Sequence, residues 1–147
     1  MTIDTTGEWW KGSSLDDIEE YLKLLKPEGY EVHEYRRSKC QCGSLTFKLE
    51  FNSDEGSARR ICVKCNFQHY LCDSQEYWDD DEYEELLCPD CHETECNIGA
   101  GYSLYDDDPS GIRWISIGVR CSNCGLLGSP VNCKVAISDV RHLLDKA

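Results

Sequence analysis

Apolar and polar positions alternate with a period of two residues along much of the chain, and with a helical period in one stretch near its start. Leu45, Phe47, Leu49 and Phe51 fall on one side of an extended segment and Thr46, Lys48 and Glu50 on the other, the signature of a half-buried strand. Asn52-Ser-Asp-Glu-Gly56 supplies turn residues, Ser57 to Ile61 returns, and Phe67 to Leu71 alternates again. The same plan recurs after Cys88, with strands expected near 98–105, 112–120 and 131–137 and a turn at 106–111. Ahead of all this, Leu15, Ile18, Leu22 and Leu25 recur at helical spacing. Ser13 or Ser14 can cap that helix. Asp16, Asp17, Glu19 and Glu20 crowd its start and Lys23 and Lys26 its end, as the macrodipole favours, and Pro27 and Gly29 stop it. Val140, Leu143 and Leu144 predict a short second helix over 138–147.

Cysteine changes the picture. The chain holds 11 cysteines in 147 residues, far above ordinary usage. Eight form four close pairs, Cys40/Cys42, Cys62/Cys65, Cys88/Cys91 and Cys121/Cys124. A Cys-x-x-Cys turn aims two sulfurs at one point, and two such turns complete a tetrahedral thiolate shell. The residue after the second cysteine of such a turn has to double back with positive φ. Here those residues are Gly43, Asn66, His92 and Gly125, all types that tolerate it. Cys40-Gln-Cys42 is one residue tighter than the others, which leaves His33 or Cys72 as alternative ligands to Cys40. The single cysteines Cys72, Cys96 and Cys133 read as small buried apolar residues. Met1 to Lys11 has neither the basic start nor the apolar centre of a signal peptide, and no apolar run is long enough to span a bilayer. A reducing cytoplasm is therefore expected, where paired thiols read as metal ligands before disulfides.

From Cys40 to Lys134 the knuckle, hairpin, knuckle, strand order resembles the zinc-ribbon superfamily with rubredoxin-type knuckles, twice over. The resemblance implies two Zn2+ ions, one held by Cys40, Cys42, Cys62 and Cys65 and the other by Cys88, Cys91, Cys121 and Cys124. A crossed arrangement, in which the first and third pairs share an ion as in RING-type domains, is the competing one. The expected fold class is small α+β: two zinc ribbons, each a short antiparallel sheet, with an N-terminal helix and a short C-terminal helix. The expected division is a helical cap at 1–39, ribbons at 40–72 and 88–137, an acidic linker at 73–87, and the C-terminal helix at 138–147. Zinc ribbons share a fold and not a function, so no activity follows from the likeness.

Enzyme chemistry finds little foothold. Four cysteines leave an ion no open position for water or substrate. His92-Glu-Thr-Glu-Cys96 lacks the second histidine of a metalloprotease helix, and Cys88-Pro-Asp-Cys91 lacks the His-x-Glu that a deaminase needs ahead of it. The Cys-x-x-Cys pairs are flanked by strand signals, whereas a thioredoxin-type pair opens a helix. Asp106 to Gly111 begins like a calcium loop, but Ile117 stands where the bidentate glutamate belongs.

Charge then narrows the partners. With 28 acids against 15 Lys and Arg the formal net charge is -13, which repels phosphate backbones and anionic membranes. Asp73 to Glu85 interleaves eight carboxylates with Tyr77, Trp78 and Tyr83. Arg36, Arg37, Lys39, Arg59, Arg60 and Lys64 gather in sequence beside the first cysteine set, where they read as compensation for thiolate charge and as packing for the acidic linker. The function expected is a non-enzymatic protein that binds a basic protein partner through Tyr77, Trp78, Asp79, Asp80, Asp81, Glu82, Glu84 and Glu85. Its concrete form is an immunity protein or antitoxin whose carboxylates mimic phosphates at a nuclease-like site. A transcription- or translation-associated zinc ribbon working through Arg36, Arg37, Arg59 and Arg60 is the first alternative, and metal storage or sensing the second.

Overall fold

The structure is a computed structural model that describes residues 3, 10–26, 29–71, 74, 78–105 and 112–133. Its elements are α1 (Asp17–Leu25), β1 (Glu34–Arg37), β2 (Phe47–Asn52), β3 (Ser57–Cys62), β4 (Gln68–Tyr70), β5 (Glu84–Glu85), β6 (Glu95–Leu104), β7 (Ile112–Cys121) and β8 (Leu127–Cys133). The two hairpins stand where the alternation put them. In the first, Asn52 closes the turn by accepting the N–H groups of Asp54 and Glu55 on its side-chain oxygen, and the Gly56 N–H returns to the Asn52 carbonyl at 2.9 Å. In the second, β6 and β7 run antiparallel for nearly their whole length, Cys96 opposite Cys121 and Tyr102 opposite Ile115.

The expected α+β layout of two separate ribbons and two helices is not what forms. All eight strands belong to one antiparallel sheet, ordered β4-β3-β2-β6-β7-β8, and α1 is the one helix among the described residues. The segment expected to form a C-terminal helix lies outside them. The join is made by β2 and β6, which pair at Phe47 with Cys96 and Lys48 with Glu95 before diverging. Beyond the split, β1 takes up the freed edge of β6 from Gly99 to Tyr102, and β5 takes up that of β2 at Glu50 and Phe51. Two isolated ribbons would have left those edges with unpaired backbone groups, so merging them satisfies the hydrogen-bonding demand that separate sheets could not. Neither β1 nor β5 shows an apolar alternation, which is why the pattern of the sequence did not reveal them.

Two apolar layers result. On one face Phe47, Leu49, Leu71, Ile98, Ile117 and Val131 are buried together with Tyr102 in the larger core. On the other face of β6 and β7 lies α1, whose Ile18 and Leu22 pack with Val32 and Leu127. The helix comes close because Gly118 stands opposite Gly99 across the two strands, and a Cβ at Gly118 would sit 2.8 Å from the Ile18 Cγ2. α1 is shorter than the 15–26 expected. Neither Ser13 nor Ser14 caps it; instead the buried Asp17 carboxylate accepts the N–H groups of Ser13 and Ser14, at 2.8 and 3.1 Å, and fixes the entering turn. Leu25, counted on the apolar stripe, is 43% exposed. No helix among the described residues is long and apolar enough to cross a membrane.

Truncating Leu22 to Ala should cost about 2–5 kcal/mol of stability by leaving a cavity between α1 and the sheet. Gly118→Val should cost about 1–3 kcal/mol by overpacking the same contact. Urea unfolding of the two variants beside the parent chain checks both.

Candidate metal centres

Each cysteine pair sits in the same backbone device. Gly43, Asn66, His92 and Gly125, the residues that follow the second cysteines, have φ of 93°, 62°, 64° and 82°. Their N–H groups turn back to the carbonyls of Cys40, Cys62, Cys88 and Cys121 at 2.8–2.9 Å. In return the N–H groups of those four cysteines donate to the carbonyls of Ser44, Phe67, Glu93 and Leu126 at 2.9–3.0 Å. Each knuckle is thus a small closed hairpin that holds its two sulfurs on one side. The tight Cys40/Cys42 pair uses the same device with one residue fewer, and Cys40 keeps its place in the cluster. His33 lies elsewhere, accepting the Leu104 N–H on Nδ1 at 2.9 Å, and Cys72 lies outside the described residues.

The knuckles converge in two groups, Cys40, Cys42, Cys62 and Cys65 in one and Cys88, Cys91, Cys121 and Cys124 in the other, the ligand atoms of each group all within 4.8 Å of one another. The grouping is consecutive, not crossed. The closest sulfurs are Cys40 and Cys65 at 3.4 Å, Cys42 and Cys62 at 3.5 Å, Cys91 and Cys121 at 3.4 Å, and Cys88 and Cys124 at 3.6 Å. A tetrahedron with metal–sulfur arms of about 2.3 Å has edges of about 3.8 Å, so each donor set fits one tetrahedral, thiolate-preferring ion. Each group could therefore hold a metal ion.

Hydrogen bonding and burial set the thiols of each group apart. Burial pushes the Cys62 thiol up, but the N–H groups of Cys65 and Lys64 and the neighbouring thiols outweigh it and bring the group down to about 6. The Asn123 side chain and the Glu93 N–H bring Cys91 down to about 6. Cys65 has the Phe67 N–H in favour of its thiolate, yet crowding by Cys40, Cys62 and Cys42 drives it up to about 12, and burial with crowding drives Cys124 up to about 12. Within each group the thiols hydrogen-bond to one another, which lowers one member and raises another.

The sheet fixes the two groups relative to each other. Cys62 on β3 pairs with Phe47 on β2, Phe47 with Cys96 on β6, and Cys96 with Cys121 on β7, one row across the sheet from the first group to the second. Three strand spacings separate its ends, about 14 Å. Cys96 and Cys133 are buried in the larger core, as expected of unpaired cysteines, and burial pushes the Cys96 thiol well above its ordinary value. Asn97 ties the halves together by donating to the Leu45 carbonyl at 2.9 Å and accepting from Arg120 at 3.1 Å.

Nearby cations answer the sulfur charge. The Arg60 guanidinium lies against Cys40 and Cys62 and over the Phe47 ring at 4.6 Å. Lys11 bridges Asp90 at 2.6 Å and feels the charge of Cys124 and Cys88. The sequence marks Arg60 by its place beside the first cysteine set, whereas Lys11, 77 residues or more from Cys88 and Cys124, carries no motif. Arg59 has a different task. It pairs with the buried Glu50 at 2.5 Å, sits 4.4 Å from the Trp78 ring and 5.1 Å from that of Tyr83, and approaches Asp80 at 3.6 Å. The hairpin register alone would have found this pair, since Glu50 and Arg59 are direct cross-strand partners about the Asn52–Gly56 turn.

The acidic segment is therefore partly built in. Trp78 donates to Asp80 at 2.9 Å, Asn52 donates to the Glu82 carbonyl at 2.9 Å, and Glu84 and Glu85 form β5. Asp79, Asp80, Asp81, Glu82, Glu84 and Glu85 remain exposed, and Tyr77 lies outside the described residues. Arg36 and Arg37 sit apart on β1, facing Glu34 at 3.3 Å and Asp16 at 3.9 Å.

Comparison of the chain with protein-family models, curated proteins and solved structures gave no match, so the likeness to zinc ribbons rests on the knuckles themselves.

Asn66→Val places a β-branched residue at a left-handed φ and should weaken metal binding at the first group about tenfold, whereas Asn66→Gly should not weaken it; competition with a chromophoric chelator distinguishes the two. Arg59→Ala leaves the Glu50 carboxylate buried without its partner and should cost about 3–5 kcal/mol, with a change in Trp78 emission.

Proposed function

We propose that the protein is a non-catalytic zinc-binding protein that acts by holding an acidic surface against a basic protein partner. Zinc is the ion that best suits a closed all-cysteine tetrahedron, and such a site keeps no position for substrate. Two loaded groups, each of formal charge about −2, would make a chain of -13 more acidic still. The observation that carries the reading is the ridge of exposed carboxylates from Asp79 to Glu85, held in place by β5 pairing and by the Arg59 clamp. A rigid acidic ridge loses little entropy when it docks, and its carboxylates can stand where a basic partner expects phosphates. The concrete form is an immunity protein or antitoxin that occludes a nuclease-like site. The alternative of a nucleic-acid-binding ribbon draws on Arg36, Arg37, Arg59 and Arg60, and two of these, Arg59 and Arg60, are buried and turned to Glu50 and to the first cysteine group.

Converting Asp79, Asp80 and Asp81 to Asn and Glu82, Glu84 and Glu85 to Gln should abolish capture of a basic protein and remove its salt dependence. The captured protein should be a nuclease that wild-type chain inhibits and the amide variant does not. Undiminished capture and inhibition by the amide variant would contradict the proposal.

A further inference from the structure

Beside the second cysteine group a cavity of about 300 Å³ opens between the start of β6 and β8. Leu86, Val119, Leu126, Leu127 and Pro130 are among its apolar lining residues, with Cys88 and Cys121 of the second group at its wall, so an apolar group gains by entering it. Ser129 also lines it, and its hydroxyl is buried with no hydrogen-bond partner among the described residues. That hydroxyl is itself shielded from solvent, so Ser129 contributes its other atoms to the wall. The charged side chains that line the cavity are Glu93 and Glu95, both acids. Leu86 and Thr94 are shared with a smaller neighbouring hollow whose charged lining residues are Lys48, Glu50 and Glu85, the last of these at the end of the acidic ridge. Leu87, at 52% exposed, stands beside it as an uncovered apolar side chain.

We infer that this cavity is an anchor pocket for one large apolar side chain carried on an extended, basic segment of the partner protein. The inference rests on the proposed acidic-ridge function and adds to it where the partner's binding energy concentrates. Wall chemistry selects the apolar anchor, and Glu85, Glu93 and Glu95 meet the Lys or Arg residues on either side. Interfaces place most of their affinity in one such desolvated anchor and use the charged rim for steering and register.

The test uses three nine-residue peptides on the metal-loaded chain: Lys-flanked with a central Phe, Lys-flanked with a central Gly, and Glu-flanked with a central Phe. The first should bind at least tenfold more tightly than the second, and the third should not bind. A Cβ at Gly128, which also lines the cavity, would lie 3.7 Å from the Val119 Cγ2, an ordinary contact, so Gly128→Leu fills the cavity without straining the strand. That variant should lose the preference for Phe over Gly. Methyl resonances of Leu86, Val119 and Leu127 in the parent chain should shift with the Phe peptide, a readout that does not depend on the variant folding. Equal binding of the Phe and Gly peptides, or methyl shifts confined to other residues, would overturn the anchor pocket. Equally tight binding of the Glu-flanked peptide would also overturn it and mark a pocket for a free apolar ligand. If the six-amide chain keeps the Phe preference and loses little affinity, the flanking charge being met by Glu93 and Glu95 alone, the acidic-ridge reading fails and the pocket stands. If the Phe preference is absent but binding needs the six acids, the pocket fails and the ridge stands.

Discussion

Convergence of four sulfurs on one point, made twice at the same end of one sheet, is the constraint from which the rest of the fold follows. Each group closes the open end of a hairpin: the first joins the Cys40–Cys42 loop to the end of β3, and the second joins the Cys88–Cys91 loop to the end of β7. The turns at Gly43, Asn66, His92 and Gly125 aim the two sulfurs of each knuckle to one side, so an ion would clip together segments that are far apart in the chain. A chain with 40% apolar residues, spread over short strands, would gain folding free energy from two such clips once metal is bound.

Charge is arranged around the clips. Arg60 lies against the first sulfurs and Lys11 pairs with Asp90 near the second, Arg59 fastens the acidic ridge to β2 and β3, and the carboxylates from Asp79 to Glu85 are exposed. The acids close to the fold are matched; the excess is displayed.

Much of this was legible in the sequence, and the parts that were not share a cause. Knuckle positions, their positive φ residues and the strands of both hairpins are set within a few residues of chain, by spacing and alternation, and so they can be read locally. Merging of the two ribbons depends on β2 meeting β6 through two residue pairs, and on β1 and β5 filling edges, which involve backbone groups and leave no side-chain pattern. Glu50 reads as an outward residue in the alternation, yet it is buried because Arg59 stands directly across from it. The N-terminal helix was expected with a serine cap, and Asp17 supplies the stabilising contacts from inside the helix instead. Lys11 and the cavity beside Ser129 arise only when distant segments come together.

The central claim is that eight cysteines hold two ions and that this coordination keeps the fold closed. Native mass spectrometry of the reduced chain, followed by thiol alkylation under the same conditions, tests it most directly. The account predicts two zinc ions per molecule, with the eight paired cysteines protected until a strong chelator removes the metal and the near-ultraviolet circular dichroism collapses. Fewer than two tightly held ions, or a chelated chain that keeps its tertiary signal, would contradict it.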